Sequence, residues 1–140
     1  MKVTVKVSAL VYPTEIEGKI KTAITNLFPV ELALLESGIP EIYSEGDLES
    51  LRLLHQRLRE EQILDTARNI LLAGISGSTI QFRLNKQVAF MGKVNFPAGE
   101  ESLGSIHVEI SAENMEDLLK IIDWLAPRTI NGKPVGESDL

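Results

Sequence analysis

KVTVKVSALV, residues 2–11, decides the fold class. Val3, Val5, Val7, Ala9 and Val11 fall on one side of an extended chain, and Lys2, Thr4, Lys6 and Ser8 fall on the other. A period of two with a polar alternate row predicts a strand with one face on a core. That apolar face needs a covering layer. The next segment supplies it: Thr14 and Glu17 form a Thr-x-x-Glu capping pattern, and Ile16, Ile20, Ala23, Ile24 and Leu27 recur at helical spacing until Pro29.

The two periods alternate along the rest of the chain. Residues 30–36 read as a second strand, Gly38-Ile39-Pro40 as punctuation and residues 41–44 as a short extended piece. From Asp47, a plausible N-cap, to Gly74 the period is helical, with one stripe at Leu51, Leu54 and Leu58 and another at Ile63, Ala67, Ile70 and Leu71. The span can be read as one helix or as two shorter helices, with Glu60-Glu61-Gln62 the place where two would meet. Ile80, Phe82 and Leu84 oppose Thr79, Gln81 and Arg83 in a strand over residues 78–84. A turn near Asn85-Lys86 is expected to open a hairpin through residues 87–91, with Gly92 as a turn or bulge before a strand over residues 93–96. Residues 97–104 read as an acidic exposed loop, Ile106, Val108 and Ile110 as one face of a further strand, and residues 113–125 as a final helix. Its core stripe is predicted at Met115, Leu118, Leu119 and Ile122.

These elements predict an α+β fold of two layers, a mixed sheet with helices packed on one face. Residues 1–126 form one compact domain in this reading, and residues 127–140, interrupted by Gly132, Pro134 and Gly136, form an irregular tail, of which residues 131–140 are expected to be dispensable for the core fold. If the helices take the apolar side, then Lys6, Gln81, Arg83, Lys93, Asn95 and His107 lie on the opposite side of the sheet.

Composition removes whole classes of chemistry. With no cysteine, the chain has no disulfide, no thiolate nucleophile and no thiolate-ligated metal. Two histidines cannot make a three-histidine zinc site within one chain. Gly74-Ile75-Ser76-Gly77 lacks the lysine and hydroxyl of a phosphate loop and follows a helix rather than a strand. The acids paired at Glu60-Glu61, Glu100-Glu101 and Glu116-Asp117 are adjacent, which does not make two carboxylates converge on a substrate. No catalytic residue, metal or cofactor is therefore expected. No apolar run approaches the roughly 20 residues needed to span a bilayer, so the expected setting is the cytoplasm, away from membranes.

The charge distribution points elsewhere. The chain carries a formal charge of −6, yet residues 52–99 hold seven Lys or Arg against three acids. Arg52, Gln56 and Arg59, with His55 beside them, share a helix face away from the leucine stripe, and Arg83, Lys86 and Lys93 form a second basic group. Arginine grips phosphate through two parallel bonds, and glutamine or histidine can bond base edges or ribose hydroxyls. The alternative for both groups is an ordinary solvated polar surface.

LNKQVAF at residues 84–90, continued by GKVNF at residues 92–96, resembles the archaeal family of small uncharacterised proteins described as predicted RNA-binding proteins and possible exosome-associated factors. The resemblance runs from the opening valine-rich strand through Pro13-Thr14-Glu15 to the helix ending near Trp124. It implies a fold similar to the ribosomal large-subunit protein that binds the smallest ribosomal RNA, a homodimer, and a partner in RNA processing. The central motif falls on Asn85, Lys86, Gln87, Gly92 and Lys93. Together these features predict a non-catalytic protein that binds structured RNA or ribonucleoprotein through Arg52, His55, Gln56, Arg59, Arg83, Asn85, Lys86, Gln87 and Lys93. A homodimeric protein-interaction module is the alternative, and a small-molecule enzyme is the weakest of the three readings.

Overall fold

A computed structural model describes residues 1–36, 38–99 and 101–140; Glu100, half of one adjacent acid pair, lies outside them. Strand β1 (Thr4–Leu10) runs at the centre of a six-stranded sheet of order β2-β3-β1-β6-β5-β4. The other strands are β2 (Ala33–Leu35), β3 (Glu41–Gly46), β4 (Ile75–Ser76), β5 (Thr79–Leu84) and β6 (Ile106–Ser111). Every neighbouring pair is antiparallel. The α+β class and the single covered face follow from the strand alternation. Val5, Val7, Ala9, Ile42, Ile80, Leu84, Ile106, Val108 and Ile110 all point into one core.

The covering layer consists of α1 (Glu17–Thr25), α2 (Arg52–Glu60), α3 (Leu64–Ala73), α4 (Lys86–Phe90) and α5 (Met115–Leu125), with a 3-10 turn at Leu48–Leu51. Asp47 caps that turn by accepting the Glu49 amide. The expected break after Glu60 is a Schellman closure: the Gln62 amide donates to the Arg59 carbonyl and the Ile63 amide to the Leu58 carbonyl, with Gln62 left-handed at φ 57°. Gly74 ends α3 where a side chain would collide with the Gln81 carbonyl of β5, and its own carbonyl accepts the Gln81 amide.

Four sequence expectations are corrected. Thr14 does not cap α1, whose N-cap is Ile16; residues 12–15 form a turn that aims Glu15 inward. The hairpin expected after Asn85 is instead α4, because the Asn85 side chain accepts the Val88 amide and starts a helix that Gly92 stops in the left-handed region. Residues 93–96 form no strand, so Lys93 and Asn95 are not on the sheet. The buried face of α5 is Leu118, Ile121, Ile122 and Leu125, whereas Met115 and Leu119 are exposed. The tail is also partly ordered: β7 (Thr129–Ile130) and β8 (Lys133–Pro134) make a ribbon that pairs only with itself.

Candidate nucleic-acid interface

The helices leave the other side of the sheet uncovered, and the strand register arranges it in rows. Tyr43, Ser8, His107 and Arg83 stand in one row across β3, β1, β6 and β5; Glu45, Lys6, Glu109 and Gln81 make the next. These side chains other than Glu45, together with Glu41, surround an open depression of about 500 Å³. The Gln81 amide donates to Glu109 at 3.2 Å, and the Arg83 guanidinium donates to the Gly99 carbonyl at 3.1 Å, which ties the loop after residue 96 to the face. Burial lowers the His107 pKa from its ordinary value, and neighbouring Arg83 adds to that shift. At neutral pH His107 is therefore an uncharged donor and acceptor. The surface offers an aromatic ring, hydrogen-bonding groups and two cations without a carboxylate partner among the described residues, interleaved with three acids. It has no nucleophile paired with a base, and among the described residues no three His, Asp or Glu gather around a metal position.

The residues singled out in the sequence do not converge. Of the nine residues predicted to contact RNA, Arg83 alone lies on this face, beside Lys6, Gln81 and His107, which strand alternation puts there. Lys86 is 2% exposed, its ammonium donating to the Leu10 carbonyl at 2.7 Å, the Leu103 carbonyl at 2.5 Å and Glu15 at 3.0 Å. It therefore cannot meet a phosphate without leaving the core. Asn85 is spent on the α4 cap and on Glu101, and exposed Gln87 borders a groove shared with Ile16, Lys19, Phe90 and Met91. Lys93 sits beside Arg57, Glu60 and Glu61.

On α2 the basic helix face exists but is largely engaged. Gln56 donates to Glu60 at 2.7 Å and Arg52 to Glu49 at 2.6 Å. His55 stacks on Trp124 at 4.6 Å between centroids, and Arg52 lies 5.8 Å from that ring. Arg59 donates to the carbonyls of His55, Trp124 and Leu125 and to Glu137 in the tail. Seven of the fourteen Lys and Arg residues have carboxylate partners, and those left without one among the described residues include Lys6, Arg83 and Lys93.

Tyr43 and Ser8 were not predicted as site residues. Alternation puts Ser8 on the polar side of β1 without marking it as a contact, but Tyr43 depends on the pairing of β3 with β1, which local sequence does not carry.

Comparison with known proteins matches residues 4–112 to a family described as RNA binding, a span that starts at the first residue of β1 and ends one residue past β6. The chain is 44% identical over 143 aligned residues to a UPF0201 protein of Methanopyrus kandleri, covering 95% of this chain and 90% of that one. It is 40% identical to a UPF0201 protein of Methanosarcina acetivorans, covering 99% and 93% respectively. The crystal structure of a UPF0201 protein from Methanococcus jannaschii superposes with a TM-score of 0.87 at 38% identity, over 95% of this chain and 99% of that chain. The chain thus belongs to the UPF0201 family, the family whose matching description is RNA binding.

Proposed function

We propose that this protein binds RNA without catalysing a reaction on it, and that the uncovered face of the sheet is the principal contact surface. The observation that carries the reading is the cross-strand row Tyr43, Ser8, His107 and Arg83, which places a stacking ring, a hydroxyl, an imidazole and a guanidinium side by side on an uncovered face within the family match. Unstacked bases lie against aromatic rings, while Lys6 and Arg83 meet phosphates and Ser8, Gln81 and His107 meet base edges or ribose hydroxyls. The interleaved acids keep total affinity modest and disfavour regular duplex, whose phosphates would be driven against Glu41, Glu45 and Glu109. Arg52, Gln87 and Lys93 are secondary contacts in this reading. It fits a cytoplasmic protein with an RNA-processing partner and a distant relation to the ribosomal fold.

The test is equilibrium binding of a fluorescent single-stranded RNA with a flanking duplex at two salt concentrations. Two to three phosphate contacts to a single strand predict a loss of roughly seven- to twentyfold when monovalent salt rises fourfold. Lys6→Glu with Arg83→Glu is expected to weaken several RNA sequences alike by at least about tenfold, because phosphate contacts position more than they discriminate. Lys93→Glu is expected to cost less. Equal affinities for parent and double variant, or no binding at low salt up to about 100 µM protein, would reject the surface.

A homodimer is the second reading, favoured by the edge strand β2, where Leu35 and neighbouring Ile39 are 46% and 45% exposed. Pairing of that edge with a second copy would satisfy its open backbone groups. A monomeric mass at all concentrations in sedimentation would exclude it.

A further inference from the structure

Arg59 is held more tightly than a surface arginine needs to be. Its side chain is 20% exposed, and one Nη donates to the His55 and Leu125 carbonyls at 2.9 and 3.1 Å while the other donates to the Trp124 carbonyl at 3.1 Å. Two of those carbonyls belong to the last turn of α5, where the helix dipole favours a cation. These bonds fix the guanidinium plane and leave one edge, Nε and the second Nη, facing outward as a fork. Glu137 fills that fork with both carboxylate oxygens, at 2.8 and 2.6 Å.

The occupant is held far less firmly than the receptor. Glu137 is half exposed, and it sits in the exposed stretch 128–140, whose ribbon pairs only with itself. Among the described residues, the other side-chain bond from the tail to the body is from Thr129 to Asp65. The surroundings favour an anion generally: Arg52 and half-buried His55 flank Trp124 beside the fork, and Arg52, held charged mainly by Glu49, also feels Asp139 of the tail. Two parallel N–H donors at this spacing fit a phosphate as well as a carboxylate.

We propose that the Arg59 fork is a phosphate-binding site for the RNA backbone and that Glu137 is its intramolecular competitor, so that the acidic tail masks the basic face of α2 until a phosphodiester displaces it. The site itself is independent of the sheet face; its assignment to RNA rests on the RNA-binding reading. An exposed ion pair of this kind changes occupancy by only a few-fold, so the mask lowers affinity by about two- to fivefold rather than closing the site.

Trp124 is the only tryptophan and stacks on His55 next to the fork, which makes its fluorescence a local reporter. Intact parent and Glu137→Gln proteins are titrated with inorganic pyrophosphate at constant ionic strength, and with a fluorescein-labelled oligouridylate read by anisotropy. In Glu137→Gln, pyrophosphate is expected to shift Trp124 emission with a midpoint of roughly 1–10 mM and to move the Arg59 Nε–H resonance. The parent is expected to need about two- to fivefold more, and the variant to bind RNA tighter by a similar factor. Arg59→Lys in the Glu137→Gln background keeps the charge without the fork and should cancel both gains. The resonance arm reads the fork without altering Arg59, in case that substitution unfolds the chain.

No saturable response to pyrophosphate in Glu137→Gln overturns the site, whether or not RNA binds elsewhere. A pyrophosphate response with equal RNA affinities in parent and variant overturns RNA as its ligand. If neither protein binds RNA, the RNA-binding reading falls by itself, and the pyrophosphate titration alone upholds or overturns the fork.

Discussion

Two cation–carboxylate pairs in this molecule join residues more than 70 positions apart and have opposite characters. Lys86 and Glu15 meet at 3.0 Å with their side chains 1% and 6% exposed; Arg59 and Glu137 meet at 2.6 Å with the arginine 20% and the glutamate 50% exposed. In the first pair every partner is inside the fold. Lys86 also bonds two backbone carbonyls and lies 5.2 Å from the Tyr12 ring, and Glu15 also accepts the Tyr12 amide at 3.0 Å. The second pair has a partly buried receptor and a replaceable occupant. Burial, more than the chemistry of the ions, separates a structural tie from an exchangeable contact, because water can take the place of one carboxylate and not the other.

The largest effect is expected from breaking the buried pair. Lys86→Met removes the cation and leaves Glu15 and two carbonyls without their donor in a desolvated position, which costs about 3–5 kcal/mol. Denaturant unfolding of the variant should show a lower midpoint with an unchanged slope. Glu15→Leu with Lys86→Met should recover a large part of that loss, since an apolar pair leaves no uncompensated charge, although the Leu10 and Leu103 carbonyls still lack a donor. Equal stability of the single and parent proteins would mean that the lysine reaches water, and would return it to the list of phosphate contacts.

The contrast also explains what the sequence could and could not show. The period of two in β1, β5 and β6 was enough to put Lys6, Gln81, Arg83 and His107 on one face, since alternation is a local property of a strand. The break between α2 and α3 was legible for the same reason. Lys86 looked like a surface cation because nothing near it in the chain announces Glu15, 71 positions earlier. Arg59 looked available because Glu137 lies 78 positions away in a stretch with no periodicity. Local sequence does not separate α4 from a turn at Asn85, because the side-chain chemistry that favours a turn is the same that makes Asn85 the N-cap. Met115 and Leu119 were placed inward by spacing that fits α5 one position out of phase; contacts with neighbouring helices decide between such phases.

A smaller effect separates the two exposed regions by pH. His55 and His107 both have lowered pKa values, first because burial disfavours the imidazolium, then because of Arg59 beside the one and Arg83 beside the other. A histidine whose folded-state value is depressed binds fewer protons when folded, so stability falls as pH drops from the ordinary value of about 6.5 toward the folded one. Both side chains remain partly solvated, so each contributes under about 1 kcal/mol. His55→Gln and His107→Gln should each flatten the decline between pH 7.5 and 5.5. RNA binding should respond in the opposite sense, because phosphates held by Lys6 and Arg83 lie close to His107, favour its imidazolium and make affinity rise as pH falls. Loss of that rise in His107→Gln, with Arg83 intact, would place the imidazole at the contact.

The smallest effect tests the exchangeable pair as a piece of structure. Glu137 has a lowered pKa, principally through its hydrogen bonds from Arg59, so the pair stabilises the fold above the ordinary carboxylate range and is lost as pH falls through the lowered value. Solvent reaches half of the glutamate, and the contribution at neutral pH is therefore about 1 kcal/mol or less. Glu137→Gln should leave the thermal midpoint within about 2–4 °C of the parent. Removal of residues 131–140 should likewise preserve one cooperative transition, because the ribbon they complete pairs with no other strand, while buried Ala126 and Pro127 stay in place. Scanning calorimetry of both variants checks this. A loss of several kcal/mol on Glu137→Gln alone would show that the tail is part of the packed structure, as Lys86 is, and that Glu137 does not exchange with an outside anion.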